Sequence, residues 1–468
     1  MSATSCISGI LLLIITGAIA RFLYCKYPAW DSKKKDSNGH PNKPRHEKWF
    51  YAWIIGLAVL GGTWAFFLPI VINSGFGKDD DGASLRQALI YTTGGVLGVI
   101  TLGENHRKNT LEKTKNDQDH TRQVHAERRS RYTKAIEHLF NENISVRLGG
   151  VYALAGLADE WLTDEKTLPI EKERHKEGQV IINTLCSYIR SSFNLASKTE
   201  DLSQNKTPED YEGGDQQFVK DRAKLREERE LRLASLEAIK NRLNDGIIIQ
   251  EDGTKKLLKG LWSDFDYDFS NAYFFYPTGF TNSYFGASSK FSGATFTENA
   301  DFSRTAFTER APFSGATFTC AHFYEATFTE RAPFSGVTFT KDADFSGAKF
   351  TKDADFSGAK FTKDANFSRA KFTGIASFIE TKFTEASFFR AAFKEKPKFE
   401  YTLDNKTYKA RFSSKANPED YNFKVSYDSP YKIETEEKEY NGTKFTIPKG
   451  AVLFDPDDPS EREENGES

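Results

Sequence analysis

Phenylalanine recurs every five or six residues between Phe269 and Phe399, and no other feature of the sequence is as regular. Residues 345–349 form a five-residue stretch and residues 350–355 a six-residue stretch, and the pattern begins again at Phe356. This spacing fits neither the helical period of 3.6 nor the strand period of two. Each unit has one large and one small apolar residue, so it can bury its ring only against neighbouring units. The pattern predicts a solenoid of stacked repeats and argues against an enzyme.

These units resemble the pentapeptide-repeat family, whose repeats read roughly Ala-(Asp/Asn)-(Leu/Phe)-x-x. The resemblance covers about a quarter of the chain and implies a right-handed quadrilateral β-helix. It places small inward side chains at Ala294, Ala300, Ala348, Ala354 and Ala359. The large inward positions that it implies form a structural core ladder: Phe291, Phe296, Phe302, Phe307, Phe313, Phe318, Phe334, Phe339, Phe345, Phe350, Phe356, Phe361, Phe367 and Phe372. We expect core rings here and not a ligand groove, because burying one Phe contributes about 2–3 kcal/mol.

The alternate six-residue unit departs from the family pattern and lengthens each turn to about 22 residues. We interpret the additional residue as a β-bulge at alternate corners. It is missing at residues 318–322 and 383–387, so two corners should be tighter than the rest. The predicted β-helix covers residues 262–399, which gives about six turns and a length of about 29 Å at about 4.8 Å per layer.

Apolar stretches in residues 1–103 predict three transmembrane helices, at residues 7–24, 49–72 and 88–103. The first two are long enough for a hydrocarbon core of about 30 Å, and the third is borderline. The connection after the first span is rich in Lys and Arg, whereas the next one carries an acidic run. The positive-inside rule therefore predicts a multi-pass protein of the cell membrane, with the lipid bilayer as a partner and the C-terminal body in the cytoplasm.

Two features of the spans leave alternatives open. Residues 18–20 (Ala-Ile-Ala) offer a signal-peptide cleavage site, but no basic residue precedes the apolar run and cleavage would leave the basic connection outside. Gly94 and Gly98 form a small-xxx-small pair that suits packing of the spans or a homo-oligomer. Ordinary glycines within a span explain the pair equally well.

Between the spans and the repeats the sequence is charged and helical in pattern. Residues 104–131 lack an apolar stripe and predict a solvated juxtamembrane helix. Apolar residues with helical spacing predict a helical domain over residues 132–245, with later helices near 179–193 and 217–243. Segments 131–139 and 146–154 resemble the helical region that joins membrane spans to pentapeptide repeats in bacterial, especially actinobacterial, membrane proteins. That resemblance implies the domain order and no biochemical role.

The last part of the chain loses the phenylalanine spacing. Residues 400–454 keep strand-like Tyr, Phe, Thr and Ile, and a solenoid needs a cover for its open end, so this segment is predicted to be a C-terminal cap. Residues 455–468 are acidic and contain proline, and we expect them to be disordered.

Residues suited to chemistry are scarce, and we expect no catalytic, cofactor-binding or metal-ligating residue and no cofactor. The cysteines Cys6, Cys25, Cys186 and Cys320 show no spacing typical of a zinc site or a disulfide framework. Cys320 and His322 alternate along one strand but lack two further zinc ligands. The sequence has neither a GxxxxGK[ST] loop nor a Gly-x-Ser-x-Gly elbow.

Three functions remain. The first is a membrane-anchored, non-enzymatic scaffold that presents the β-helix to an unknown protein partner. The second follows the quinolone-resistance members of the family, whose acidic rods imitate duplex DNA and occupy DNA gyrase. The third is an accessory role in signalling or transport, which lacks support because the spans contain only the charge of Arg21.

Charge favours the scaffold. The net charge of the chain is −2, and residues 291–396 contain fourteen Lys or Arg against thirteen Asp or Glu. A rod without a net negative field imitates phosphates poorly, so no nucleic-acid partner is expected.

The topology can be tested with reporters. A reporter fused after Leu111 should be active only in the cytoplasm, and a tag near Asp80 should be accessible from outside, because the basic loops face inward. If both sites prove cytoplasmic, the third span is wrong.

Overall fold

The structure is a computed structural model, and it describes residues 3–25, 46–72, 81–250 and 255–458. The chain divides into two compact units, Met1–Gln123 and Val124–Ser468.

The first unit is helical. Its elements are α1 (Ala3–Cys25), α2 (His46–Val71) and the first part of α3 (Asp81–Leu139). Trp64 Nε1 donates to Thr16 Oγ1 at 3.0 Å, which joins α1 and α2. At Gly61 a Cβ would overlap the side chain of Thr93, so this glycine lets α2 approach α3. A Cβ at Gly94 or Gly98 would meet no atom within 4 Å among the described residues.

The predicted spans lie within these three helices. By length and composition alone, two helical segments could cross a membrane, Trp53–Val71 and Ser84–Leu139, and Ile7–Arg21 is a shorter apolar stretch. The acidic run of the second connection falls largely outside the described residues, as does most of the basic first connection. The predicted juxtamembrane helix of residues 104–131 is no separate element, because α3 runs without a break from Asp81 to Leu139.

The helical domain of the second unit contains the end of α3 and four further α-helices: α4 (Ile144–Thr163), α5 (Glu171–Arg190), α6 (Thr199–Leu202) and α7 (Gly214–Lys240). A 3₁₀ turn, Ala196–Lys198, precedes α6. The predicted helix near residues 179–193 begins earlier than expected. Its first turns are highly charged, so the apolar spacing did not reveal them.

A buried ionic cluster holds α4, α5 and α7 together. Glu228 accepts hydrogen bonds from Arg232 at 2.8 Å, Tyr188 at 2.7 Å and Arg147 at 2.8 Å. Burial acts to raise the pKa of Glu228, but the hydrogen bonds from Arg232 and Tyr188 and the charge of Arg232 hold it below its ordinary value. Arg232 also donates to the carbonyl of Ile189 at 2.6 Å, so the ends of its buried guanidinium are satisfied.

A hairpin leads into the solenoid, and it is formed by β1 (Asn244–Ile249) and β2 (Lys255–Lys259). The solenoid strands are β3 (Tyr267–Asp268), β4 (Tyr273–Phe274), β5 (Thr278–Gly279), β6 (Tyr284–Phe285), β7 (Ser289–Lys290), β8 (Thr295–Asp301), β9 (Ala306–Phe307), β10 (Thr317–His322), β11 (Thr327–Phe328), β12 (Ala332–Pro333), β13 (Thr338–Phe339), β14 (Ala343–Asp344), β15 (Lys349–Phe350), β16 (Ala354–Asp355), β17 (Lys360–Asn366), β18 (Lys371–Phe372), β19 (Ala376–Ser377), β20 (Lys382–Ser387) and β21 (Ala392–Phe393). Their pairings are parallel and join residues about one turn apart, as Lys349 with Lys371.

The rings of successive turns stack in four columns. Within a column, ring centroids of neighbouring turns lie 4.5 Å apart for Phe296 and Phe318, and 5.0 Å for Phe328 and Phe350. Rings of different columns meet edge to face, as Phe313 does with Phe323 at 5.4 Å. The columns begin at Phe269, Phe274, Phe280 and Phe285. All fourteen rings of the predicted core ladder are buried in these columns.

Two kinds of side alternate around each turn. After the rings of the first and third columns the chain makes a tight turn whose third residue has a positive φ, such as Gly358 at 68° and Arg369 at 59°. The amide of the following residue closes it, as Ala359 does on the Phe356 carbonyl at 2.9 Å. These features define a type II turn. The other two columns carry the six-residue sides.

The register between turns shifts where a five-residue side lies on a six-residue side. Phe318 pairs with Phe296, but Cys320 pairs with Asn299, so β8 has one residue more than β10. The same shift separates β17 from β20 between Phe361 and Asp364. These are the two places where the sequence lacks the additional residue.

The helical domain covers the first turn of the solenoid. The Phe193 ring stacks on Phe275 with centroids 5.5 Å apart. Arg229 of α7 pairs with Glu298 at 2.8 Å, and Arg190 of α5 pairs with Asp268 at 2.5 Å. The first solenoid strand begins at Tyr267, five residues after the predicted start of the β-helix at residue 262, where Trp262 is fully buried.

The C-terminal end differs from the prediction. Ring stacking continues past Phe399, since Phe412 lies on Phe383 at 5.0 Å and Phe423 on Phe388 at 5.9 Å. The predicted boundary at 399 is therefore too early, because inserted segments hide the spacing. The strands of this region are β22 (Glu400–Leu403), β23 (Lys406–Lys409), β24 (Arg411–Ser413), β25 (Tyr421–Asn422), β26 (Thr435–Tyr440), β27 (Thr443–Pro448) and β28 (Val452–Phe454). Of the predicted disordered tail, residues 459–468 lie outside the described residues.

Replacing Phe350 by Ala should lower the free energy of unfolding of the solenoid by roughly 3–5 kcal/mol, because it opens a cavity between two stacked rings. The ring is only 1% exposed and lies 4.9 Å from Phe372 on one side. Urea unfolding of the full-length protein, followed by circular dichroism, measures the change.

The matched control is Lys352→Ala on the same turn, whose side chain is exposed. It should cost under about 0.5 kcal/mol. Equal losses in the two variants would mean that the inward and outward positions are misassigned.

Candidate functional site

The outward surface of the solenoid has four faces, each named after the ring column beneath it. The first face is formed by residues 291–295, 313–317, 334–338, 356–360 and 378–382; the second by 296–301, 318–322, 339–344, 361–366 and 383–387; the third by 302–306, 323–327, 345–349, 367–371 and 388–392; and the fourth by 307–312, 328–333, 350–355, 372–377 and 393–398. Because turns stack in register, one residue type repeated along the sequence becomes a row along a face.

Charge is divided unequally among these faces. The second face has six carboxylates against two lysines, a net charge of −4. The third face has five cations against one carboxylate, a net charge of +4. The first and fourth faces each have a net charge of +1. The balanced total therefore conceals an acidic face beside a basic one.

Stacking brings carboxylates together on the acidic second face. Asp364 pairs in register with Glu385, and Asp342 occupies the corresponding position one turn earlier. Burial raises the pKa of Asp364, and the neighbouring carboxylates of Glu385, Asp342 and Asp344 raise it further. Like charges in register are destabilising when both are ionised.

Cys320 and His322 also lie on the second face. The Cys320 Sγ is 3.6 Å from His322 Nε2, and burial raises the pKa of the thiol. Across the described ranges, no group of three or more His, Cys, Asp or Glu side chains could hold a metal ion. The pair is thus a weak hydrogen-bonding contact within a strand.

Two grooves lie at the ends of the solenoid. A groove of about 480 Å³ near the last turn is lined by four lysines and two glutamates, with Phe399 and Ile433 beside them: Lys396, Lys398, Lys432, Lys449, Glu400 and Glu434. A second, of about 360 Å³, lies where α5 ends against the first turn and is lined by residues including Arg190, Arg232 and Tyr273. Arg190 pairs there with Asp268 at 2.5 Å, and the guanidinium of Arg232 is occupied by the buried cluster.

Comparison with family models identifies the repeats. A model described as pentapeptide repeats (9 copies) matches residues 319–360 and 356–395. The chain carries a pentapeptide-repeat domain. The match covers the centre of the solenoid, and the ring columns extend the same architecture in both directions. No curated protein matches the chain, and no solved structure does.

Within the pentapeptide-repeat domain, the residues singled out from the sequence are structural. The fourteen ladder rings and the inward alanines lie beneath the faces and do not contribute to an outward surface. The separation of charge between the second and third faces was missed. The signal was available in the 22-residue register, which places Arg304, Arg369 and Arg390 in one row and Asp342 and Asp364 in another.

Replacing Asp364 by Asn should stabilise the domain at pH 7 by a few tenths to about 1 kcal/mol, because it removes one of several stacked like charges. A carboxyl whose folded pKa is raised lowers stability once pH exceeds its unfolded value near 3.9. The advantage of Asn should therefore disappear as pH falls and Asp364 becomes protonated.

Thermal unfolding at several pH values between 3 and 7 measures this dependence. The control is Glu395→Gln on the fourth face, an exposed carboxylate with Gly374 at the same position one turn earlier, which should change stability by less than about 0.5 kcal/mol. An Asp364→Asn variant that is less stable than the parent at pH 7 would contradict the interpretation.

Proposed function

We propose that the protein is a membrane-anchored, non-enzymatic scaffold. In this proposal the N-terminal apolar helices span the cell membrane and the C-terminal body lies in the cytoplasm. The pentapeptide-repeat domain, a right-handed β-helix of four sides, presents its rigid faces to a protein partner. Pentapeptide-repeat β-helices are a fold used for protein–protein interaction, which agrees with this role.

The observation that carries the proposal is the filled interior of the solenoid. Rings stack at about 5 Å throughout the columns, as Phe345 does on Phe367 at 5.0 Å. Close-packed rings fill the interior of the solenoid. A partner is therefore recognised by the outward side chains. Those side chains form flat rows held by the parallel strands, which is the form of an extended binding surface.

Anchoring is supported by the apolar helices of the first unit. Trp53–Val71 has a mean hydropathy of 2.1, and Ser84–Leu139 contains a window of 1.2. Exposed large apolar side chains such as Ile55, Val59 and Phe66 on α2 suit a lipid environment. The basic first connection seen in the sequence supports the cytoplasmic orientation.

The distribution of charge weakens the DNA-mimic alternative. A mimic of duplex DNA needs a negative field around the rod, whereas here the acidic second face adjoins a third face of charge +4. A gyrase surface that attracts phosphates would meet repulsion from the neighbouring face.

The scaffold role can be tested by photo-crosslinking in cells that express the full-length protein. A photoreactive amino acid at the outward position Lys371 on the third face, or at Lys352 on the fourth face, should give a discrete adduct with another protein in the membrane fraction. The same amino acid at the outward Leu111 of α3 should not give that adduct. Adducts with lipid alone, or none at all, would count against a scaffold, and an adduct of twice the mass of the chain would indicate a homo-oligomer.

The alternative has its own assay. Full-length protein in zwitterionic nanodiscs should leave DNA supercoiling by gyrase unchanged at tens of micromolar, about the limit of weak specific binding. Dose-dependent inhibition would favour the DNA mimic over the scaffold.

A further inference from the structure

At the turn position with positive φ, the third face holds three arginines, Glu325 and Gly347, whereas the first face holds four glycines and Glu380. Two residues after the rings of the third face, Arg304, Arg369 and Arg390 adopt φ values of 55°, 59° and 58°. The equivalent positions on the first face are Gly293, Gly315, Gly336, Gly358 and Glu380, the last with a φ of 57°. Left-handed backbone is unfavourable for a residue with a Cβ and free of strain for glycine. Folding alone would therefore favour glycine on both faces.

One position of the same row shows that the third face accepts glycine. Gly347 has a φ of 69°, and a Cβ there would lie 3.2 Å from Glu325 Cγ. The Glu325 side chain lies over this turn and leaves little room for a Cβ, which explains glycine at position 347. The turn therefore does not require arginine at Arg304, Arg369 and Arg390, and the three guanidinium groups add positive charge to the surface of the third face.

The three arginines form no ion pair with the carboxylates that the structure describes. Arg304 Nε donates to Asn282 Oδ1 at 2.8 Å, and the Arg390 guanidinium lies 5.0 Å from the Phe389 ring centroid. Within the described ranges, no carboxylate forms a salt bridge with Arg304, Arg369 or Arg390. Their charges are free to meet an anionic partner.

Two exposed aromatic side chains lie among these cations. Tyr324 is 39% exposed and Phe389 is 37% exposed. The hydrogen bond from Tyr324 to Glu325 raises the pKa of the Tyr324 hydroxyl, and the charges of Arg304 and Arg369 act in the opposite direction. The charges of Arg304 and Arg369 therefore both act on the Tyr324 hydroxyl. Exposed Tyr and Arg side chains are typical of the residues that dominate protein interfaces.

We propose that the third face binds an extended acidic segment of a protein. Carboxylates of the segment would pair with Arg304, Arg369 and Arg390, and an apolar side chain would pack on Tyr324 or Phe389. Arg369 and Arg390 lie in successive turns, and Arg304 lies four turns from Arg390, so the row is about 19 Å long at about 4.8 Å per turn. An extended segment of about six residues covers that length. The proposal rests on the scaffold function and names the chemistry of its partner.

A segment of polypeptide fits this face better than duplex nucleic acid does. The row is narrow, and the acidic second face lies directly beside it with a net charge of −4. A duplex carries its charge around a wide cylinder and would bring phosphates near those carboxylates. A single extended chain can stay within the row.

The test uses full-length protein in zwitterionic nanodiscs and a fluorescent poly-L-glutamate of about 20 residues as the probe. The variant carries Arg304→Gly, Arg369→Gly and Arg390→Gly together. Since glycine suits these φ values, the thermal midpoint should stay equal or rise. Affinity for the probe should fall on the order of ten-fold, and its dependence on salt should weaken, because three exposed charges are lost.

The control removes the same number of cations from the fourth face by Arg310→Ala, Arg331→Ala and Lys352→Ala. Its affinity for poly-L-glutamate should remain within about two-fold of the parent. Equal losses in the two variants, or no loss in the glycine variant, would overturn the proposal. So would tighter binding to a 20-base-pair DNA duplex or to anionic vesicles than to the probe. If the glycine variant still forms the crosslinked adduct described above, the scaffold stands and this inference fails.

Discussion

Stacking of phenylalanine rings between successive turns is the interaction on which the rest of the structure depends. Each ring contacts one ring above and one below, as Phe350 does with Phe328 and Phe372 at 5.0 and 4.9 Å. Rings of neighbouring columns meet edge to face, which is the arrangement that aromatic quadrupoles favour. A turn alone could not bury its rings, so stability arises between turns and must be closed at both ends. The helical domain closes one end, and the segments around Phe412 and Phe423 close the other.

The alternation of five and six residues converts this core into an ordered surface. Five-residue sides of the first and third columns use type II turns with a positive φ, whereas six-residue sides remain closer to extended strand. In most turns a five-residue side stacks on a five-residue side and a six-residue side on a six-residue side. This keeps the 22-residue register, so equivalent side chains form rows. That register separates carboxylates such as Asp364 from cations such as Arg369, although they are five residues apart in the sequence. A function of the surface therefore depends on the register of the core.

The sequence predicted the repeat, the inward rings and the position of the missing residues, because a large apolar side chain at fixed spacing leaves few alternatives. It missed the start of α5 at Glu171, where charged side chains hide a helix, and the last ring positions Phe412 and Phe423, where inserted segments interrupt the spacing. It also missed the buried cluster around Glu228, since long-range pairing of Arg147, Tyr188 and Arg232 leaves no local pattern. The arginine row was hidden because balanced composition says nothing about which face each charge occupies.

Two deletions in the full-length protein, compared by thermal unfolding, test most directly whether the ring register determines the fold. Removing residues 334–355 takes out one complete turn and brings Phe356 to the place of Phe334, so every column is restored. Removing only residues 334–338 takes out one side and places type II turns against six-residue sides in all later turns. We expect the 22-residue deletion to keep a cooperative transition near that of the parent, and the five-residue deletion to lower the midpoint much further. If the longer deletion is the more damaging, the ring register does not determine the fold.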